Sequence, residues 1–286
     1  MSIASRVANV MSSIEEMSGL DGVSQPIVDW VGKAVRPAIV RNTLSGEVIG
    51  HPLHPLLTDV PIGAWTMAGL LDVVGGSSSE RAADILVATG IVSALPTAAS
   101  GLNDWSDTYG PETRVGLVHA GAVTSALVLY TLSARCRARG NRTRGKVLGM
   151  VGMGALLAGG YLGGHLSFGK GVNVNRVAWE EGPGDWVAVL PEAELGDGEH
   201  RKVDADGTAV LLYRSGSEIW ALSNTCSHMG GPLDEGTFAD GCVTCPWHGS
   251  IFQLRDGEIR RGPATARQPS YETRVNDGQI EVRHVG

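Results

Sequence analysis

Residues 224–250 read NTCSHMGGPLDEGTFADGCVTCPWHGS. The stretch holds Cys226-Ser-His228 and, after sixteen further residues, Cys245-Pro-Trp-His248. Each pair places a thiolate and an imidazole on one short loop. Gly230, Gly231, Gly236, Gly241 and Gly249 surround the pairs. Such loops let backbone N–H groups turn towards metal-bound sulfur, and that hydrogen bonding tunes a redox centre. The competing metal reading is zinc held by Cys226, Cys242, Cys245 and His248. It leaves His228 unused. Cys242 also precedes Cys245 by three residues in a strand-like run, so period-two alternation turns the two apart. Cys242 then reads as a small buried apolar residue.

Outward from this stretch the sequence is strand-like. WVAVL, KVDADGTAVLLYR, EIWALSN, SIFQL, EIRR, YETRVN and QIEVRHV are short β runs. Asp206-Gly207, Ser215-Gly216, Asp256-Gly257 and Asp277-Gly278 lie among them, and Asp-Gly supplies the positive φ of tight hairpins. Closely spaced short strands without a βαβ pattern predict an all-β sandwich or barrel over 185–286.

With these residues in place, 185–286 resembles a Rieske domain of the ferredoxin type. The likeness rests on Cys226-Ser-His228, Cys245-Pro-Trp-His248-Gly249, Phe252 and Gly262-Pro263. It implies a [2Fe–2S] cluster, with Cys226 and Cys245 on one iron and His228 and His248 on the other at an exposed edge. Rieske proteins of cytochrome bc complexes tie their two cluster loops with a disulfide. Gly231 and Trp247 occupy those positions here, so that bridge cannot form. Ser250 keeps one of the hydroxyls that raise the potential in those proteins, while Phe252 replaces a tyrosine. The expected potential is in the middle of the range of about −150 to +300 mV, and its dependence on pH follows from the ligand histidines.

Before residue 170 the chain is a different material. Residues 171–286 hold 18 acids and 10 bases, whereas residues 1–170 hold 12 acids and 13 bases, within a net charge of −7. That balance argues against nucleic acid as a partner. Residues 85–103, 115–134 and 147–169 carry no charge, and 60–79 carry only Asp72. A bilayer span needs ~20 mostly apolar residues. The expectation is a multi-domain chain with an N-terminal all-α four-helix transmembrane bundle and a C-terminal all-β Rieske domain. The boundaries are a membrane-surface segment over 1–58, four spans over 59–169, a linker over 170–184 and the Rieske domain over 185–286. Residues 1–58 lack the order of a cleaved signal peptide and read as one or two short amphipathic helices. Cys136, among arginines, reads as a free thiol.

In an up-and-down bundle, His51, His54, His119 and His165 fall at one level, with Asp59, Asp104 and Trp105. This half resembles an uncharacterised bacterial membrane-domain family through His51-Pro-Leu-His54-Pro, Gly101-Leu-Asn-Asp-Trp105 and Gly160-Tyr-Leu-Gly-Gly-His165. That resemblance implies architecture only. The histidines could hold haem b, bind a quinone head group or a metal, or only satisfy one another and the headgroup region.

Arg135, Arg137, Arg139, Arg142, Arg144 and Lys146 lie between the third and fourth spans without an acid. They place that turn in the cytoplasm and the Rieske domain on the outer, periplasmic face of a multi-pass cell-membrane protein. The missing disulfide and the long N-terminal segment pull the other way. The function read from all this is membrane-anchored transfer of one electron at a Cys2His2-ligated cluster, exchanged with a redox partner protein or quinone. The chain is then a component of an oxidoreductase system rather than a stand-alone catalyst. The rivals are a ferredoxin component of an oxygenase or nitrite reductase system, and a redox sensor.

Overall fold

The computed structural model describes residues 2–284. The chain divides into two compact units, one of residues 1–36 and 53–172, the other of 37–52 and 173–286. Residues 1–58, read from sequence as one surface segment, are therefore shared. Helices α1 (Ile3–Glu16) and α2 (Asp21–Ala34) belong to the first unit, while α3 (Ala38–Ser45) belongs to the second.

The first unit is helical. It continues with α4 (Leu53–Val74), α5 (Glu80–Trp105), α6 (Gly110–Ala138) and α7 (Arg142–Gly164), the last prolonged by a π-helical turn to Gly169. Among the described residues these four are long and apolar enough to cross a membrane. Helix α4 begins six residues before the span expected from Asp59, and Pro55 falls in its first turn, where a proline removes no intrahelical hydrogen bond. The inner face is closed by Trp65, which stacks on Tyr130 at 4.3 Å and donates Nε1–H to Val87 O at 3.2 Å. Gly90 leaves the room that this indole fills. Leu56, Met67, Val92, Leu95, Val128 and Leu157 point outwards, as lipid-facing residues do. Helix α1 lies against the bundle with Met11 in an apolar cluster with Val115 and Leu162.

The second unit is antiparallel β. Strands β1 (Val187–Pro191), β2 (His200–Ala205), β3 (Thr208–Ser215), β4 (Glu218–Ser223), β9 (Ser270–Asn276) and β10 (Gln279–Arg283) form one sheet, in the order β1-β10-β9-β4-β3-β2. Strands β5 (Thr237–Ala239), β6 (Cys242–Thr244), β7 (Ile251–Gln253) and β8 (Ile259–Arg261) form a second, in chain order. Alternation along β3 sends Val210 and Leu212 into one core and Leu211 into the other, which lies against the small sheet. The hairpins turn at Asp206-Gly207 and Asp277-Gly278, all four residues at positive φ, and also at Asp240-Gly241, a pair not singled out from sequence.

Candidate metal centre

Two loops carry the four sequence-predicted ligands. One leaves β4 with Cys226 and His228; the other joins β6 to β7 with Cys245 and His248. The loops repeat one backbone design. Cys226 N–H donates to Gly231 O at 2.9 Å and Cys245 N–H to Ser250 O at 2.8 Å, each reaching five residues ahead. Gly230 N–H returns to Cys226 O at 2.9 Å and Gly249 N–H to Cys245 O at 3.1 Å, each from four residues ahead. Both glycines sit at positive φ, +83° and +71°, where a side chain would strain the turn. Each closed loop aims two N–H groups at its own sulfur: those of His228 and Met229 at Cys226, and those of Trp247 and His248 at Cys245.

Cys226 and Cys245 lie buried beside Leu222, Val243 and Phe252. The Cys226 thiol hydrogen-bonds Cys245. That bond and its two N–H donors hold the Cys245 thiol down to about 7. The same bond, with burial, pushes Cys226 up. The His228 and His248 rings stand 5.0 Å apart at 85°, and a nitrogen of each, Nδ1 and Nε2 respectively, is sealed from solvent. Burial holds the His228 imidazole well below its ordinary value, with further positive charge from His248, Arg41 and Arg176.

This donor set fits the two-iron, two-sulfide group that the sequence implies. Two soft sulfurs and two imidazoles meet between the loops, with both sulfurs and His228 buried, and a Cβ on Gly231 would stand 2.8 Å from Cys245 Sγ and 3.1 Å from the Trp247 ring. Among the described residues, no three His, Cys, Asp or Glu side chains gather around one ion position. The mononuclear zinc arrangement with Cys242 is therefore not assembled, and Cys242 pairs instead within the small sheet, opposite Ala239 and Gln253. Cys136, Cys226, Cys242 and Cys245 are all free cysteines.

One expectation changes. His228 is only 6% exposed, so it is not part of an open edge. The segment after α7 runs along its loop: Arg176 N–H donates to Ser227 O at 3.0 Å and Asn173 N–H to Met229 Sδ at 3.5 Å. Helix α3 joins the same unit, where Asn42 Oδ1 accepts Gly262 N–H at 3.0 Å and Arg41 is buried. The accessible edge is His248, half-buried, with Trp247 at 51% exposure.

Sequence reasoning missed several supports. Buried Gln268 accepts Ser227 N–H at 2.9 Å and donates to Ser223 O at 2.9 Å and Thr225 O at 2.5 Å, which clamps the first loop. Arg261 holds the second through Gly249 O at 2.9 Å. Ser250, predicted to assist, accepts Ala264 N–H at 3.0 Å and keeps its own hydroxyl proton to donate. Nothing in local spacing signals Gln268, which acts across some forty residues.

In the helical unit, His54 and His119 come together, with ring centroids 6.5 Å apart. His165 Nε2 pairs with Glu15 at 3.0 Å, an acid that also holds Lys170 at 2.7 Å. The Lys170 and His165 hydrogen bonds lower the Glu15 carboxyl below its usual range. His51 falls in the other unit, its Nδ1 against Pro52 O at 3.0 Å. Asp59 is exposed, Asp104 accepts from Asn103, and buried Trp105 donates to Thr113 O.

Residues 185–272 match the family described as Rieske [2Fe-2S] domain, and residues 50–176 the family described as Predicted membrane protein (DUF2231). The chain is similar to human (Homo sapiens) apoptosis-inducing factor 3, at 31% identity over 34% of this chain and 16% of that protein. It therefore spans less than a fifth of that relative. Over 26% of its length it is 38% identical to the anthranilate 1,2-dioxygenase ferredoxin subunit of Burkholderia cepacia, covering 68% of it. Among solved structures it is similar to the ferredoxin of carbazole 1,9a-dioxygenase from Nocardioides aromaticivorans IC177, at 30% identity over 35% of this chain and 98% of that one, TM-score 0.34.

Proposed function

The chain belongs to the Rieske [2Fe–2S] family through residues 185–272 and to a predicted membrane protein family through residues 50–176, and from this premise we propose that it is a membrane-anchored one-electron carrier. The domain's [2Fe–2S] cluster supplies one-electron storage when bound. Cys226 and Cys245 hold one iron, and His228 and His248 hold the other. The observation that carries this assignment is the pair of matched loops, which bring four N–H groups onto two cysteine sulfurs and two imidazoles within 5.0 Å of each other. Those N–H groups offset the added negative charge of the reduced state, and the apolar wall of Leu222, Val243 and Phe252 keeps water away. His248 and Trp247 offer the contact edge for a partner, and the excess of acids over 171–286 favours a basic one. The dioxygenase ferredoxin subunit among the relatives supports a redox protein as that partner. The arginine-rich turn between α6 and α7 supports an outer-face position for the cluster domain.

The test is iron and sulfide analysis, with electron paramagnetic resonance, of the dithionite-reduced full chain in detergent. Equal iron and sulfide and a Rieske-type signal are expected, with the signal abolished in Cys245→Ser and His248→Ala. Stoichiometric zinc, or a signal that survives both substitutions, would overturn the assignment.

A further inference from the structure

We propose that His54 and His119 are the two axial ligands of a haem iron inside the helical unit. His54 lies in the first turn of α4 and His119 in the first half of α6. Each reaches across to the helix that follows it. His54 Nδ1 stands 2.9 Å from Thr97 O on α5, and His119 Nδ1 stands 2.8 Å from Gly159 O on α7. A carbonyl oxygen can only accept, so each Nδ1 carries the proton and each Nε2 presents a lone pair. Among the described residues no donor reaches either Nε2. Metal-binding histidines are oriented in this way, with the remote N–H fixed on a backbone carbonyl.

The spacing agrees with one iron between the rings. Two metal–nitrogen bonds of ~2.0 Å, with the ring radii added, separate the centroids of opposed imidazoles by about 6 Å, against the 6.5 Å found. The rings are held in place. A Cβ on Gly101 would lie 2.7 Å from His54 Cε1, and one on Gly163 would lie 3.1 Å from His119 Cε1, so each imidazole rests directly on a neighbouring helix backbone.

The ligand count favours haem over a bare ion. No third His, Cys, Asp or Glu joins the pair among the described residues. Two imidazoles alone leave a metal ion short of ligands, whereas a porphyrin brings four equatorial nitrogens and asks only for two axial ones. A quinone fits less well, because both Nε2 atoms are acceptors and a quinone oxygen needs a donor. His165 is engaged by Glu15 and takes no part. The site is argued from the helical unit alone, so it stands or falls separately from the cluster.

The experiment is expression of the full chain with haem precursor, purification in detergent, and measurement of the pyridine haemochrome, the reduced-minus-oxidised spectrum and the ferric resonance signal. One b-type haem per chain is expected. Ring planes at 88° call for a strongly anisotropic low-spin signal rather than a rhombic one. His54→Gly and His119→Gly each lose the low-spin spectrum, added imidazole restores it, and His165→Ala retains it. Rescue by added imidazole reports that the helical unit is folded in the glycine variants. No haem after precursor feeding and after titration with haemin would overturn the proposal. So would haem that both glycine variants leave unchanged, or a stoichiometric metal ion in its place.

Discussion

Gln268 takes part in three hydrogen bonds with the backbone around the first ligand loop, and it is almost fully buried. Gln268→Ala leaves Ser227 N–H and the Ser223 and Thr225 carbonyls without this partner in a dry place. One stranded buried polar group costs about 1–3 kcal/mol. The expected outcome is a lower unfolding midpoint and faster loss of iron to a chelator, with the spectrum of the intact cluster unchanged. An unaltered chelation rate would show that Gln268 does not hold the loop. This contrast marks what sequence reveals at the scale of a residue. Cys226, His228, Cys245 and His248 announce themselves because each pair lies on one short loop, where spacing and chemistry are visible together. Gln268 and Arg261 look like ordinary polar residues until the fold brings distant segments together. Gly231 and Trp247 were legible as the two positions of an absent disulfide, but the close fit of the indole and of Cys245 Sγ around Gly231 appears only in three dimensions.

Helix α3 shows the same limit at the scale of an element. Its eight residues read equally well as a membrane-surface helix, because one apolar face serves a lipid surface or a protein surface alike. The fold assigns it to the β unit, where Asn42 accepts from Gly262 and Ser45 lies against the same glycine. A Cβ there would stand 2.7 Å from Ser45 Oγ, so close docking of α3 depends on a glycine far away in sequence. Arg41 on this helix is buried and adds its charge at His228. A positive charge near the site stabilises the reduced state, which carries one more electron. Arg41→Gln should therefore lower the midpoint potential by some tens of mV, roughly one half to one decade in the one-electron equilibrium. The native midpoint is expected within the middle of the range of about −150 to +300 mV. A redox titration of both proteins checks this, and a potential that rises or stays fixed in the variant would exclude the charge effect. The strands, by contrast, were legible because Asp-Gly pairs need left-handed backbone that few other residues supply cheaply.

Across the whole molecule, the charges that bear on orientation gather at one end of the helical unit. At the end of α6 and start of α7, Arg137 pairs with Asp72 and Asp84, and Arg142 with Asp84 and Glu80. Asp72, the one acid within its apolar run, is thus a partner for a buried guanidinium, a role its sequence neighbours could not show. These pairs bind α4, α5, α6 and α7 together at one end. They do not cancel the orientation signal, because acids count for little against Lys and Arg in setting topology. Arg135, Arg139 and Arg144 add to it. The turn is therefore expected in the cytoplasm, which places the chain after α7 on the other side. Alkaline phosphatase fused after the β unit should be active in a bacterial host, and a fluorescent protein fused at the same position should stay dark. Fusions made within the turn at Gly140 should give the reverse. The opposite pattern at both positions would put the cluster domain in the cytoplasm and replace a periplasmic partner with a cytoplasmic one. Replacing Arg135, Arg139 and Arg144 together with glutamine leaves the ion pairs of Arg137 and Arg142 intact while removing half the bias. A partial shift towards the reversed pattern is then expected, without loss of folded protein.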